Sequence, residues 1–449
     1  MSEARRVVIL GAAGRDFHDF NRMYRDDPTH RVVAFTATQI PDIAGRRYPP
    51  ELAGPLYPEG IPIFDEAELP RLIREFDVDL CLFAYSDLPY ARVMALSAIA
   101  NAHGADFLLA GPKHTQINSR KPVIAVVATR TGAGKSPTCR HIVELLTARN
   151  LKVVTVRHPM PYGDLAAQAV QRFATLEDLQ HHRCTIEERE EYEPHIARGS
   201  VVYAGVDYAA IVDAAENDPA GCDVLLWDGG NNDFPFYRAD LTITIADPHR
   251  AGDELSWYAG EVNLRMADVV IVNKVDSAPR DKVEAVLRNI AAVNPGARVI
   301  EARSRVTADD PAVIAGKRVL VIEDGPTLTH GGMSIGAGSI AAHACGAAEI
   351  IDPRPYAVGT LKDTFAKYPH LERALPAMGY GEAQLRDLEA TVAACPCDAV
   401  VIGTPVDLAR LIDLGHPATR ARYELEETGP EALPLVLDEF LAAVRPRPA

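Results

Sequence analysis

The sequence predicts an α/β protein: an N-terminal Rossmann-like domain, then a P-loop NTPase domain with a mostly parallel sheet, then a C-terminal α/β extension. Short apolar runs alternate with helical patterns along the chain, the signature of strands joined by helical crossovers. Three of those runs lead into glycine-bearing turns, at 11–14, 132–134 and 325–332. The length, 449 residues, suits about three domains at roughly 150 residues each. The expected divisions are 1–118, 119–316 and 317–449, with the last continuous with the P-loop sheet or separate from it.

Composition narrows the function classes. Hydrophobic residues make up 47% and charged residues 24%, so the chain can bury ordinary cores without a disulfide or metal staple. There are 62 acidic and 46 basic side chains, a net charge of −16, which disfavours nucleic acid as a partner. The apolar run at 7–10 is too short for a signal-peptide core and no run is long enough to span a bilayer. A cytoplasmic protein with no membrane partner is expected. Seven scattered cysteines read as reduced thiols, since Cys395 and Cys397 alone make no zinc framework. A homodimer is expected because symmetric dimers dominate soluble assemblies.

In the first domain, strands are expected at 7–10, 31–35, 78–83 and 107–109, with helices at 66–75 and 90–102. The turn Gly11-Ala12-Ala13-Gly14 lacks the third glycine of the dinucleotide fingerprint, which disfavours NAD. Gly11 and Gly14, followed by Arg15 and His18, suit either a small anion at a helix N-terminus or a plain turn.

The second domain opens with an apolar strand at 123–128 and the segment Thr131-Gly132-Ala133-Gly134-Lys135-Ser136. This matches the end of the P-loop pattern, with Thr129 where the pattern has its first glycine. The glycines let backbone amides cradle phosphate oxygens, Lys135 supplies a point charge, and the Ser136 hydroxyl suits Mg²⁺. Asp228 ends the strand at 224–227, where P-loop proteins hold Mg²⁺. Asp164, in the loop after the strand at 152–156, is a second Mg²⁺ or water-positioning candidate; Arg157 or His158 is a candidate phosphate contact. Asn273-Lys274-Val275-Asp276 is an N-K-x-D run whose carboxylate acceptor fits the guanine edge, so the nucleotide is ATP or GTP with the motif favouring GTP. The stretch 175–198 is charge-dense and expected to be helical and partly exposed, with Glu191 and His195 as active-site candidates.

In the third region, strands are expected at 319–322, 349–351 and 399–402, and a helix at 405–414. Thr329, His330 and Gly331 form a candidate anion-binding loop directly after the first of these strands.

Taken together, 11–18, 131–136, 185–195, 227–233, 325–333 and 419–425 resemble the cyclic 2,3-diphosphoglycerate synthetase family over nearly the whole chain. Bacterial relatives of that family carry the looser label of predicted GTPase. The resemblance implies an enzyme that uses a Mg²⁺-bound nucleoside triphosphate to close an internal phosphoanhydride in a small phosphorylated acid. Lys135, Asp228, Asp164 and Glu191 would then be catalytic. Gly11, Gly14, Arg15, His18, Thr329, His330 and Gly331 would face the substrate. A switch-type or chaperone-like GTPase, an enzyme of another small acidic substrate, and an N-terminal sensing module stay open as readings.

Overall fold

The computed structural model describes residues 4–38, 43–158, 163–230, 233–329, 334–377, 382–430 and 432–444. The first domain holds a six-stranded sheet among the described residues. Its order is Arg47–Tyr48, Ile61–Asp65, His30–Ala37, Arg5–Leu10, Leu80–Phe83, Asp106–Leu109. All neighbours are parallel except the first pair. The chain leaves Arg5–Leu10 toward one side for His30–Ala37 and returns on the other for Leu80–Phe83. The crevice of this doubly wound sheet therefore lies at the C-terminal end of Arg5–Leu10.

The rest of the chain builds a second sheet, thirteen-stranded among the described residues. From one edge its order is Gln171–Phe173, Val201–Ala204, Val153–Arg157, Val224–Asp228, Val123–Ala128, Leu241–Ala246, Val269–Val272 and Arg298–Ala308. It continues through Ala418–Glu427, Ala399–Ile402 and Arg318–Asp324, which pairs with both Glu349–Ile350 and Ala374–Ala377. The sheet thus runs unbroken from the phosphate loop into the last third of the chain.

Two long strands make that continuity. Arg298–Ala308 is parallel to Val269–Val272 through its first four residues and antiparallel to Ala418–Glu427 through Ala302–Ala308. The apolar-run reading missed both strands, because arginine and glutamate occupy their outward positions and only a period-2 alternation marks them. The helix Leu433–Ala443 then packs Leu433, Leu437 and Phe440 into the core under the phosphate-loop helix, beside Ile142 and Leu146.

Two local expectations are corrected. Residues 405–414 hold only a short turn of helix, Leu408–Arg410, because Pro405 and Asp407 break the pattern. The acidic helix Ile186–Ile196 is not a solvated face: Glu187, Glu188, Glu190, Tyr192 and His195 are buried. Tyr192 packs on Phe173, Ile186 joins the core of the C-terminal region, and Thr404 hydrogen-bonds Glu190. The helix is a wedge between the central and C-terminal parts of the sheet.

Among the described residues, no helix is long and apolar enough to cross a membrane. All seven cysteines are free thiols.

Candidate nucleotide site and the seams around it

The strand Val123–Ala128 is fully buried between parallel neighbours, and its C-terminal end delivers the phosphate loop to the helix Lys135–Thr147. Gly134 adopts φ +118°, and a Cβ there would run into the Asn273 amide, so only glycine fits. The N–H groups of Gly134, Lys135 and Ser136 have no hydrogen-bond partner among the described residues. Together with the helix N-terminus they form an anion cradle.

Lys135 reaches across to Asp228, Nζ to Oδ1 at 2.8 Å. Asp228 is fully buried and also meets Arg157 Nη1 at 2.6 Å and His195 Nε2 at 3.0 Å. Arg157 in turn pairs with Glu191. Burial pushes the Asp228 carboxyl up, but Arg157, Lys135 and His195 outweigh it and hold it well below the usual carboxylate range. Lys135, Asp228 and the helix turn bearing Glu191 and His195, which lie far apart in sequence, thus share one network.

The N-K-x-D run braces this loop. Asn273 Nδ2 donates to the Ala133 carbonyl at 2.9 Å and to Ser304 Oγ at 3.1 Å. Lys274 Nζ donates to the Gly132 carbonyl and to Asp247, each at 2.8 Å. Two of the motif's three polar side chains therefore support the phosphate cradle whatever base is bound. Asp276 is exposed, and its carboxylate makes no hydrogen bond among the described residues. Sequence reading missed Asp247, although it carries the signal that singled out Asp228: an acidic residue just past a buried strand, Leu241–Ala246.

The first domain abuts the cradle. Arg130, at the start of the loop, pairs with Asp253 and with Asp87 at 2.8 Å, and its guanidinium stacks 3.2 Å over Trp257. Thr131, also in this loop, is partly covered.

Other sequence candidates are placed differently. Asp164 is exposed, and its Oδ1 accepts from the Ala166 N–H at 2.9 Å, so it caps a turn. The 11–14 turn cannot cradle a ligand anion with its amides, because Asp16 Oδ1 already takes those of Ala13 (2.7 Å), Gly14 (3.1 Å) and Phe17 (2.7 Å). A Cβ on Gly11 would strike that carboxylate, which makes Gly11 a packing glycine. Gly14 lies against the His158 ring. His18 is buried, bonded to the Thr115 carbonyl at 2.8 Å and stacked on Phe236 at 4.2 Å. In the third region, Thr329 Oγ1 bonds back to the Gly325 carbonyl at 2.9 Å, while His330 and Gly331 lie outside the described residues. There the helix Ala337–Ala344 has its anion supplied by Glu323, which accepts from Gly336, Gly338 and Ser339. Among the described residues, the phosphate loop leaves amides open to an outside anion, whereas the 11–14 turn and the start of the helix Ala337–Ala344 are filled by Asp16 and Glu323.

His18 and His158 make a testable pair. Burial, ahead of the repulsion of neighbouring cations, lowers both imidazoles to about 3, although the Thr115 carbonyl pulls His18 the other way. The unfolded chain takes up these protons near 6.5 and the folded protein only near 3. Each ring therefore withdraws up to about 1.4 kcal/mol of stability per pH unit as pH falls below about 6.5. NMR titration of the two rings is expected to be flat from pH 8 to 5; a midpoint near 6.5 would place them in solvent.

This sheet and cradle define a P-loop nucleotide-binding α/β protein. Residues 222–301 match the family model described as CobW/HypB/UreG, nucleotide-binding domain. The chain is 59% identical over 436 residues to arginine synthetase ArcE of Thermococcus kodakarensis, covering 97% of each, and it belongs to that family. Cyclic 2,3-diphosphoglycerate synthetase of Thermococcus sibiricus is 24% identical over 107 residues, 23% of this chain and 24% of that protein. The whole-chain resemblance to the cyclase family is thereby corrected. Short shared motifs do not fix the acceptor of a reaction. Among solved structures, LpxK from Aquifex aeolicus with ATP aligns at a TM-score of 0.44 and 10% identity, over 83% of this chain and 99% of that one.

Proposed function

We propose that this protein is a nucleoside-triphosphate-dependent synthetase whose amino-acid product is arginine, working in either direction. The end-to-end identity to a protein named arginine synthetase carries this reading. Making the guanidinium group requires a nitrogen to replace an oxygen on a carbon of low reactivity. That oxygen leaves readily once it carries a phosphoryl or nucleotidyl group from the triphosphate, which gives a phosphate cradle its use.

The amides at 134–136 and Lys135 are proposed to hold the β- and γ-phosphates, with Asn273 and Lys274 keeping the loop in shape. Ser136 and Asp228 are hard oxygen donors beside the cradle and fit Mg²⁺, which would bridge and neutralise phosphate oxygens. Arg157 and Lys135 both contact Asp228, and a γ-phosphate would compete with that carboxylate for the two cations. Glu191, paired with Arg157, and His195, on Asp228, would keep those groups oriented.

The reading is tested with arginine, phosphate, Mg²⁺ and either ADP or GDP, following triphosphate formation. Arginine-dependent synthesis with one diphosphate is expected. Its absence with both, and of arginine formation in the opposite direction, would reject the reading.

A further inference from the structure

Resting on the synthetase reading, we propose that the seam between the first domain and Asp233 and Phe234 holds the zwitterionic head group of an α-amino acid. The carboxylate sits on Arg15 and the ammonium between Asp19 and Asp233.

The seam lies at the crevice of the six-stranded sheet, where the helix Arg15–Met23 starts beyond the C-terminal end of Arg5–Leu10. Arg15 is 2% exposed, Asp19 0% and Asp233 6%. The Arg15 guanidinium lies 3.9 Å over Phe234, and its Nη2 donates to the Ala110 carbonyl at 3.2 Å. Its Nε stands 3.5 Å from Asp19 Oδ2, and its Nη1 stands 3.9 Å from Asp233 Oδ1. Closed charge-assisted bonds are about 2.7–2.9 Å, so these three charges face one another without closing.

Five buried atoms of the cluster have no protein hydrogen-bond partner: Nε and Nη1 of Arg15, both carboxylate oxygens of Asp19, and Oδ1 of Asp233. Buried polar groups are ordinarily paired, because an unpaired one forfeits its hydration without return. Five in one place, two donors and three acceptors, suit a ligand that both accepts and donates. An α-carboxylate takes the free guanidinium donors, and an α-ammonium supplies three donors to the carboxylates. The charge balance, one cation against two carboxylates, repels a dianionic phosphate and favours a ligand that brings positive charge.

The placement also suits the reaction. Asp233 follows Asp228 by five residues, a span of at most about 17 Å. The Asp233 end of the cluster is therefore tethered within that distance of the Asp228 network.

The test uses the full-length protein with Mg²⁺ and nucleotide, comparing arginine with its analogue lacking the α-carboxylate and its analogue lacking the α-amino group. Wild type is expected to prefer arginine by about 100-fold or more in kcat/KM, since a site built to pair a polar group rejects ligands lacking it. Arg15→Gln is expected to cut the preference over the decarboxylated analogue to about threefold, and Asp233→Asn to do the same for the deaminated one, with nucleotide Kd unchanged. Wild-type preference retained in both variants overturns the placement and leaves the synthetase reading standing. Because Arg15 is buried, hydrogen exchange of the wild-type protein provides a second measurement. Arginine is expected to slow exchange in 15–23 and 234–237; protection confined to 318–444 overturns the placement even if the variants do not fold. Wild type that neither binds nor converts arginine overturns the synthetase reading and the placement with it.

Discussion

Asp228→Asn is expected to destabilise the protein by about 3–5 kcal/mol, the range for breaking a buried charge pair by removing one partner. The carboxylate is fully buried and is the common partner of Lys135, Arg157 and His195. The amide keeps the shape but removes the only negative charge shared by all three. Arg157 retains Glu191, but Lys135 loses the one ion pair it makes here. The loss is read from the urea midpoint at unchanged slope. A change below about 1 kcal/mol would mean that the three groups find other partners, and that the network does not hold the fold.

Lys135→Ala is expected to lower nucleotide turnover by about 10²–10³-fold, the usual result of deleting one preorganised group that meets developing charge. Its effect on stability is expected to be smaller than that of Asp228→Asn, because Asp228 keeps Arg157 and His195 when the lysine is removed. The pair separates two roles. On the proposed reading Lys135 serves the phosphates, whereas Asp228 is the buried partner that holds Lys135, Arg157 and His195 together. Turnover within threefold of wild type would exclude Lys135 from phosphate contact.

The phosphate cradle was readable in the sequence because its chemistry is local. A strand, two glycines, Lys135 and the following helix are contiguous, and the backbone geometry that builds the cradle requires those residue types in that order. Asp228 was readable for the same reason, as an acidic residue closing an apolar strand. Its partners were less so. Glu191 and His195 lie in a run of charges whose usual fate is solvent, and nothing local marks which of those glutamates turn inward. The continuity of the sheet was hidden in the same way, since Arg298–Ala308 and Ala418–Glu427 bury only alternate residues. Cyclase chemistry was read from short motifs scattered along the chain, and a comparison over the full length was needed to correct it.

By itself, then, the sequence determined the fold class, the nucleotide cradle and the strand-end acid, because each follows from hydrophobic period and backbone conformation within a few residues. Only the tertiary structure decided how the other glycine turns are used. Asp16 fills the 11–14 turn from inside, and Glu323 caps the start of the helix Ala337–Ala344, so that the anion at each of these helix starts belongs to the chain. It also decided that Arg15 and Asp19, one turn apart on the same helix, meet Asp233 across a domain seam. Whether a turn stays open to a ligand depends on which distant side chain arrives there, and that is set by packing between elements far apart in sequence.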